Sequence, residues 1–468
     1  MNARVAMKAS ALFEIVLCFA FSRGVQAAEL PEKPNFVVIF IDDMGYGDIG
    51  PFGSKRNRTP HLDRMAEEGM KLTSFYVAAP VCTPSRAALM TGCYPSRTSM
   101  ATGWKHAVLF PGDPKGLNPQ EVTIAEVLKE AGYATGCFGK WHLGDQAQFM
   151  PTSQGFDEYF GIPYSNDMWP GLKRWKFPPL PIVRGQEVVG RVDDMDDQAA
   201  LCRRFTEEAV KFIDAHRDEP FFVYLPHAFI HSPRKASPKF MEQARSVTQA
   251  QVEEVDWSAG EVLEAIRKAG IAEKTLVLFT SDNGPAGGKS SGPLRGAKGS
   301  AWEGGVREPT VAWWPGTIPA GSVCDEPATA MDLLPTFAHL AGGKVPRDRV
   351  IDGKDIRPLL LGTAGASSPH DRLFYHRGTA LQAVRSGPWK LFANGELYNL
   401  EEDLGEQHNV AAQHPEVVAR LSGYMDAFRK DISENFRPAG WVENSRTLLP
   451  RPGVEGEEAY APTLSLKR

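Results

Sequence analysis

Residues 35–41 read Asn-Phe-Val-Val-Ile-Phe-Ile, a run that stays apolar after its first residue. A continuous apolar run of this length is typical of a parallel β-strand that is buried on both faces. Asp42 and Asp43 follow directly, so two carboxylates stand at the end of the predicted strand. Because α/β sheets bind ligands at the carboxyl ends of their strands, the segment predicts a central strand with a site at its end.

Three further segments repeat this arrangement of an apolar strand that ends in polar residues. The predicted strands cover residues 133–138, 221–225 and 275–280. They run into Gly139-Lys140-Trp141-His142, Pro226-His227 and Ser281-Asp282-Asn283. Helical patterns alternate with the strands, at residues 122–131, 197–216 and 249–269. The alternation predicts an α/β fold, with a mostly parallel sheet between layers of helices and one composite site at the strand ends.

Two regions depart from this alternation. Residues 161–191 are rich in Pro, Trp, Arg and Lys without a clear period, which predicts a long surface insertion near the substrate. Residues 373–398 show short apolar runs separated by turn residues, which predicts a small antiparallel sheet. We therefore expect a large α/β domain that carries the site over residues 28–365 and a C-terminal subdomain over residues 366–468, made of the short sheet, a helix and a surface tail.

The amino-terminal residues have the pattern of a secretory signal. Arg4 and Lys8 precede an apolar core over residues 11–21, and Val25-Gln26-Ala27 is a small-x-small cleavage sequence. The core is too short to span a bilayer, and no later run reaches about 18 apolar residues. We expect a signal peptide over residues 1–27 and export to a periplasmic, extracellular or lysosome-like compartment without stable membrane insertion. An uncleaved lipid anchor or a fortuitous apolar start is the alternative.

The charge balance limits the classes of partner. The 468 residues carry a net charge of −5 at pH 7, with 42% hydrophobic and 23% charged residues, which is ordinary for a globular chain. A negative net charge argues against a general nucleic-acid binder. It also means that an anionic substrate must be met by positive charge that is concentrated locally.

The cysteines beyond the predicted leader match neither a disulfide framework nor a zinc motif: Cys82, Cys93, Cys137, Cys202 and Cys324. An odd number in an exported protein flags one thiol with another fate. Cys82 is that candidate, because it opens a predicted helix and Arg86 follows four residues later, where a thiol or its derivative would feel positive charge. Taken alone, a buried small cysteine in a turn explains this position as well. The sequence leaves the pairing of the other four open.

Four separate blocks of sequence carry a resemblance to a known family. Residues 82–86 read Cys-Thr-Pro-Ser-Arg, and Thr91-Gly92 follows after four further residues. This pattern resembles the signature of type I sulfatases. Residues 132–144 resemble the second signature of that family over its whole length, and residues 298–309 resemble another of its blocks. Residues 160–165 are most similar to the arylsulfatase A branch. The resemblance covers most of the chain and implies an alkaline-phosphatase-like fold and the hydrolysis of a sulfate ester.

The resemblance also implies roles for individual residues. In this family the cysteine matching Cys82 is oxidised to formylglycine, so a formylglycine-generating or equivalent maturation enzyme is an expected partner. One hydroxyl of the hydrated aldehyde attacks sulfur, and loss of the proton from the other lets inorganic sulfate leave. The implied partners are Arg86, Lys140 and Lys298 for the sulfate group, His142 as the base, and His231 as the acid that protonates the departing alcohol. His227, four residues earlier, is the alternative acid.

Hard oxygen ligands stand at two of the strand ends: Asp42, Asp43, Asp282 and Asn283. Such ligands favour Ca²⁺ or Mg²⁺ over Zn²⁺, and an amide oxygen suits Ca²⁺. Taken alone, each pair is as typical of a solvated turn or a helix cap. The resemblance implies that the four residues, together with the formylglycine formed from Cys82, bind Ca²⁺ or Mg²⁺.

We therefore expect a sulfatase that releases inorganic sulfate from a sulfated carbohydrate or an aryl ester. Two alternatives stay open. A phosphodiesterase or phosphonate monoester hydrolase of the same superfamily would share most of these residues, and substrate profiling would separate it. A binder of sulfated glycans with an unconverted Cys82 would not need His231 as an acid. The sequence does not identify the natural substrate.

Overall fold

The computed structural model describes residues 30–453, so the predicted signal peptide at residues 1–27 lies outside the described residues. The strands, numbered along the chain, are β1 (Asn35–Ile41), β2 (Met70–Tyr76), β3 (Lys115–Gly116), β4 (Ala134–Lys140), β5 (Glu158–Ile162), β6 (Leu180–Arg184), β7 (Glu187–Val192), β8 (Phe221–Pro226), β9 (Thr275–Ser281), β10 (Arg307–Trp313), β11 (Ser322–Cys324), β12 (Ala328–Thr329), β13 (Leu373–Arg377), β14 (Ala380–Ser386), β15 (Trp389–Phe392), β16 (Leu397–Asn399) and β17 (Gly440–Trp441). The helices are α1 (Pro60–Glu68), α2 (Cys82–Thr91), α3 (Ile124–Glu130), α4 (Met195–Ala215), α5 (Pro238–Gln243), α6 (Val247–Lys268), α7 (Glu303–Val306), α8 (Leu333–Leu340), α9 (Arg357–Leu360) and α10 (Pro415–Asn435).

The large sheet has eleven strands in the described part of the chain, in the order β11-β2-β10-β9-β1-β8-β4-β5-β6-β7, with β12 pairing β2. Its centre is parallel: β1 pairs β8 and β9, and β4 pairs β5 and β8. The strands β10, β6 and β7 add antiparallel pairs on the two sides. The predicted fold class, a mostly parallel α/β sheet between helices, is confirmed.

The central strand β1 is buried over its whole length because both faces of the sheet are covered. Val37 and Ile39 point to the core that holds residues of α4 and α6. Phe36 and Phe40 point to the opposite core, where the ring of Phe36 stacks on Phe337 of α8 at 4.2 Å between centroids. Side chains alternate along a strand, so an unbroken apolar run serves two cores at once.

The predicted helices lie within a few residues of their expected positions because their starts carry capping residues. Thr123 and Glu126 form a reciprocal capping box at the start of α3. The side chain of Asp194 caps α4, and that of Ser246 caps α6. Within residues 30–453, none of the helices combines the length and the apolar character that crossing a membrane requires.

The expectation of an irregular insertion over residues 161–191 is wrong for its second half. The strands β6 and β7 form a hairpin that continues the large sheet antiparallel to β5, with Phe160 opposite Arg184. Gly185, at φ +61°, makes the turn between them. Pro181 inside β6 and Gly190 inside β7 hide the strand pattern in the sequence, since both residues are unusual in strand interiors.

The C-terminal segment forms the predicted small sheet, with strand order β13-β14-β15-β16, and α10 packs on it. Phe374 stacks on Phe428 of α10 at 3.9 Å between ring centroids. The tail is not confined to the surface as expected: β17 pairs antiparallel with β3, and Leu448 is buried in the main core. The tail therefore packs against β3 and the core of the large domain.

Candidate active site

The two acidic strand ends meet because β1 and β9 are neighbours in register, with Ile41 opposite Ser281. This pairing joins residues 240 positions apart in the sequence. The amide N–H of Asp43 donates to Oδ1 of Asp282 at 3.2 Å, and Asp43 turns the chain with φ +66°. The side chain of Asn283 donates to Oδ1 of Asp43 at 2.8 Å. The four predicted metal ligands therefore form one cluster, and all of them are buried.

Cations compensate the buried carboxylates of this cluster. The ammonium of Lys140, at the end of β4, donates to Asp42 and, at 3.1 Å, to the hydroxyl of Ser165. Arg86 of α2 donates to Asp282 and, through Nη1 at 2.9 Å, to the carbonyl of Lys140. Burial alone would raise the pKa of Asp42, but the charges of Lys140 and Arg86 hold it well below its usual range. Asp42 is therefore a carboxylate at neutral pH.

Cys82 lies at the start of α2 against this cluster. Its Sγ is 3.4 Å from Oδ1 of Asp42 and 3.4 Å from Nζ of Lys298. Burial, and then the carboxylate of Asp42, raise the pKa of the thiol to about 12. Since only the thiolate is a strong nucleophile, an unmodified Cys82 is inert at neutral pH. The other four cysteines beyond the predicted leader are also free thiols in the described residues.

His142 has the hydrogen-bond pattern of a base. Its Nε2 lies 3.0 Å from the carbonyl of Leu109, which can only accept, so the proton sits on Nε2. Its Nδ1 is buried without a hydrogen-bond partner in the described protein. Burial, and then the charges of Lys140 and Arg86, hold the pKa of His142 well below its usual value. The ring is therefore neutral and has a free lone pair.

The geometry separates His231 from its alternative, His227. Nε2 of His231 is 3.8 Å from Oδ2 of Asp43, and its Nδ1 lies 2.7 Å from the carbonyl of Ser232. His227 is instead fully buried against α6, where its Nε2 is 2.9 Å from the hydroxyl of Ser258 and burial lowers its pKa to about 3. His231 belongs to the cluster, and His227 belongs to the core.

Two lysines approach Asp43 from the loop between β9 and α7. Nζ of Lys298, which the family resemblance implies as a site residue, contacts Oδ1 of Asp43. Lys289 was not predicted: its Nζ is 3.6 Å from Oδ2 of Asp43 and donates to the carbonyl of Ile230 at 2.9 Å, and its side chain is 2% exposed. It stands in a run of glycines and serines where nothing distinguishes it from a surface lysine. Ser165, which accepts from Lys140, was not predicted as a site residue either, although it lies within residues 160–165 that resemble the arylsulfatase A branch.

The ligand set fits a divalent cation. Ligand atoms of Asp42, Asp43, Cys82 and His231 lie within 4.8 Å of one another. Oδ1 of Asn283 is buried without a hydrogen-bond partner in the described protein, beside these carboxylates. Buried polar atoms are nearly always paired, so this oxygen points to a missing partner. Carboxylate and amide oxygens are ligands for Ca²⁺ or Mg²⁺.

The site combines acidic residues for a hard cation with ammonium and guanidinium groups that can bind an anion. It also holds a neutral histidine and, at the start of a helix, a residue suited to covalent chemistry. Such a site is typical of a hydrolase of sulfate or phosphate esters. The family model described as Sulfatase matches residues 34–343. The chain belongs to the sulfatase family, on the branch of arylsulfatase A. It is therefore a sulfuric ester hydrolase, and its family features include formylglycine and a divalent metal.

Individual relatives agree with this assignment. Arylsulfatase A of Homo sapiens is 38% identical over 463 residues, which cover 86% of this chain and 89% of that protein. N-acetylgalactosamine-6-sulfatase of Canis lupus familiaris is 42% identical over 385 residues, covering 78% of this chain and 73% of that protein. The crystal structure of Ps i-CgsB in complex with k-i-k-neocarrahexaose has a TM-score of 0.77 and 31% identity, and the match covers 88% of this chain and 95% of that one.

Proposed function

We propose that this protein is an exported, calcium-dependent sulfatase that uses formylglycine formed from Cys82 to release inorganic sulfate from a sulfated carbohydrate or an aryl ester. The observation that carries the proposal is the position of Cys82, in contact with both Asp42 and Lys298. Export rests on the leader pattern of residues 1–27, and Ca²⁺ rests on the mixed carboxylate and amide ligands.

The residues divide the chemistry among them. A divalent cation held by Asp42, Asp43, Asp282 and Asn283 would supply positive charge for the sulfate oxygens and the nucleophile. Hydrated formylglycine at position 82 supplies one hydroxyl to attack sulfur and a second whose deprotonation expels sulfate. Lys298 and Lys140 add positive charge on the side of Cys82. Because charge builds on the sulfate oxygens as the ester bond breaks, fixed cations lower the barrier.

The two histidines take the proton transfers in this proposal. His231 is partly exposed beside Asp43, with its Nδ1 proton held by Ser232, which suits a donor to the departing alcohol oxygen. His142, neutral and with Nδ1 free, suits the removal of a proton from the second hydroxyl. General acid–base catalysis of this kind is worth roughly 10²–10⁴-fold.

The maturation enzyme is the second expected partner. Cys82 is 3% exposed in the folded chain, which leaves no room for an enzyme to reach it. We propose that conversion occurs on the unfolded segment, before α2 packs against the sheet.

The matched relatives are sulfatases, and no contact in the site favours the phosphodiesterase or the glycan binder over a sulfatase.

The test combines conversion with turnover. The protein is made with and without a formylglycine-generating enzyme, the peptide containing Cys82 is probed with an aldehyde-reactive hydrazide, and sulfate release is measured on 4-nitrophenyl sulfate and a sulfated oligosaccharide. We expect labelling and sulfate release to rise together and to vanish in Cys82→Ala. A labelled protein that cleaves only phosphate diesters or phosphonate monoesters would replace the proposal by its first alternative. A protein that binds sulfated glycans while Cys82 stays a thiol in every host would replace it by the second.

A further inference from the structure

A basic, aromatic rim stands out against the negative charge of the whole chain. We define the rim as Lys105 on one loop and Lys173, Arg174 and Lys176 on another. All four are exposed, and within residues 30–453 none of them has a carboxylate within ion-pair distance. The net charge of the chain is −5, so four cations without a carboxylate partner on two neighbouring loops are a local concentration of positive charge, which an anion would stabilise.

The first loop of the rim starts at the candidate active site. The carbonyl of Leu109 binds His142, and the amide of Leu109 is 3.2 Å from the hydroxyl of Thr83, next to Cys82. Phe110 follows immediately, and its ring stacks on His106 at 4.0 Å between centroids. The chain from Leu109 back to Lys105 therefore leads from the wall of the site to its rim.

The second loop starts at the site as well. Ser165 accepts from the ammonium of Lys140, and the turns after it lead through Leu172, whose amide donates to the carbonyl of Trp169 at 3.0 Å. Trp175 closes the arrangement, since its ring packs edge-on against Phe110 at 5.4 Å and against His106 at 5.2 Å. The two loops thus leave the site separately and meet again in one aromatic cluster, formed by His106, Phe110 and Trp175.

The exposed chemistry of the rim suits a sugar that carries charge. Trp175 is 37% exposed and Trp104 is 44% exposed, and Nζ of Lys105 lies 3.9 Å from the ring centre of Trp104. An indole face packs on the apolar face of a sugar ring, and lysine and arginine bind sulfate groups. Packing of Trp175 explains its buried part, but it does not require three cations beside it.

We propose that the rim is a second sulfate-binding site, and that the natural substrate is an oligosaccharide with sulfate on a sugar neighbouring the one that is hydrolysed. The inference rests on the proposed function. It distinguishes a multiply sulfated chain from a small ester with a single sulfate, because only the former can reach the rim and the cluster around Cys82 together.

The test compares two substrates in the converted enzyme. The rim variant is Lys173→Ala/Arg174→Ala/Lys176→Ala, which keeps Trp175. The matched control is Lys274→Ala/Lys344→Ala/Arg347→Ala, which removes the same charge from exposed positions. Lys274 directly precedes β9, and Gly343 lies next to Ala131, which precedes β4. The control positions therefore lie near the amino-terminal ends of the strands, away from the site at their carboxyl ends. Both variants are assayed on 4-nitrophenyl sulfate and on an oligosaccharide that carries at least two sulfates, over a range of salt concentrations.

We expect the rim variant to lower the ratio of kcat/KM between the oligosaccharide and the aryl ester by about 10-fold, through KM, and to flatten the salt dependence on the oligosaccharide. The control should leave the ratio where it is. An unchanged ratio in the rim variant, or an equal fall in the control, would overturn the inference. If the wild-type enzyme hydrolyses neither substrate, the proposed function itself fails, and the two failures are thereby distinguished.

Discussion

Arg86 contacts a single oxygen of Asp282 through two of its nitrogens, Nε at 3.1 Å and Nη2 at 2.7 Å, and both side chains are fully buried. The pair joins α2 to the end of β9. Because residues four apart share one face of a helix, the same contact fixes Cys82 against the strand ends. The ion pair is therefore a fixed joint between the proposed nucleophile and the proposed metal ligands.

The first prediction concerns this pair. Arg86→Met leaves Asp282 buried without its guanidinium, and we expect a loss of about 3–5 kcal/mol in the free energy of unfolding, together with loss of sulfatase activity. Arg86→Lys keeps the charge but not the two-nitrogen contact, so an intermediate loss is expected. Urea unfolding measures the first quantity, and sulfate release the second.

The control for this prediction is Arg203→Met on α4, which removes an exposed i,i+4 pair with Glu207 at 2.7 Å. Its expected cost is about 0.3–0.5 kcal/mol, because solvent screens exposed pairs. If Arg86→Met unfolds at the same urea concentration as Arg203→Met, then the buried pair does not hold α2 in place.

Lys289 supports the second prediction. Its ammonium holds the carbonyl of Ile230, the residue before His231, so Lys289→Met should misplace the proposed acid. An acid matters most when the departing alcohol is a poor leaving group. We expect kcat/KM to fall about 10–100-fold on an alkyl or sugar sulfate and much less on 4-nitrophenyl sulfate. Equal losses across a series of phenyl sulfates with different leaving groups would contradict this role.

The sequence was sufficient to locate the polar residues at the strand ends and insufficient for the loop residues. Asp42 and Lys140 were predictable, because an apolar run followed by a polar residue locates the end of a strand. That β1 lies beside β9 was implied only by the family resemblance, since pairing over 240 residues leaves no local pattern. Lys298 was likewise placed by a motif, and Lys289, which lacks one, was missed.

The choice between His231 and His227 illustrates the same limit. Both follow β8, and their spacing of four residues says nothing about which one faces the site. The answer depends on how the backbone turns after Pro226, where the amide of His227 donates to the carbonyl of Phe40 and that of Ile230 to the carbonyl of Asp42. These are contacts between distant segments, and the hairpin of β6 and β7 was missed for a comparable reason, since its partner strand β5 decides its conformation.

A third prediction follows from a buried ion cluster that links the C-terminal sheet to the loop of Lys298. Nζ of Lys390 in β15 lies 2.9 Å from Oε1 of Glu303 and 2.9 Å from Oε1 of Glu406, and all three side chains are fully buried. Lys390→Met leaves two carboxylates without their shared cation, and we expect a loss of about 3 kcal/mol in the free energy of unfolding. The second change in Lys390→Met/Glu406→Gln should restore part of it.

Urea unfolding of the two variants and of Lys268→Met checks the cluster. Lys268 forms an exposed pair with Glu264 at 3.5 Å, so its loss should cost less than about 1 kcal/mol. A double variant that is less stable than Lys390→Met alone would show that the uncompensated charge is not the cause.

The fourth prediction uses the buried imidazole of His227. Burial lowers its pKa to about 3, against 6.5 for the unfolded chain, so between these values the unfolded state binds one more proton. The contribution of His227 to the free energy of unfolding is therefore fully present above pH 6.5. As the pH falls below that value, the contribution decreases by about 1.4 kcal/mol per pH unit. In His227→Gln this part of the slope should disappear. Unfolding free energies of both proteins from pH 7 to pH 5 test it, and parallel curves would contradict it.

The last prediction concerns the metal. Asn283 has a buried oxygen without a partner beside three carboxylates, so removing bound cations with a chelator should lower both Tm and activity. A ligand that binds only the folded state at 100 times its Kd stabilises by about 2.7 kcal/mol, which sets the scale of the recovery on adding Ca²⁺. We expect Ca²⁺ to restore Tm and activity more fully than Mg²⁺, because Ca²⁺ accepts an amide oxygen in an irregular ligand set. Asn283→Ala should weaken the response to Ca²⁺ without removing it, since the carboxylates remain. If chelation changes neither Tm nor sulfate release, the oxygen of Asn283 has another partner, and the cationic side chains around the cluster compensate its carboxylates without a metal ion.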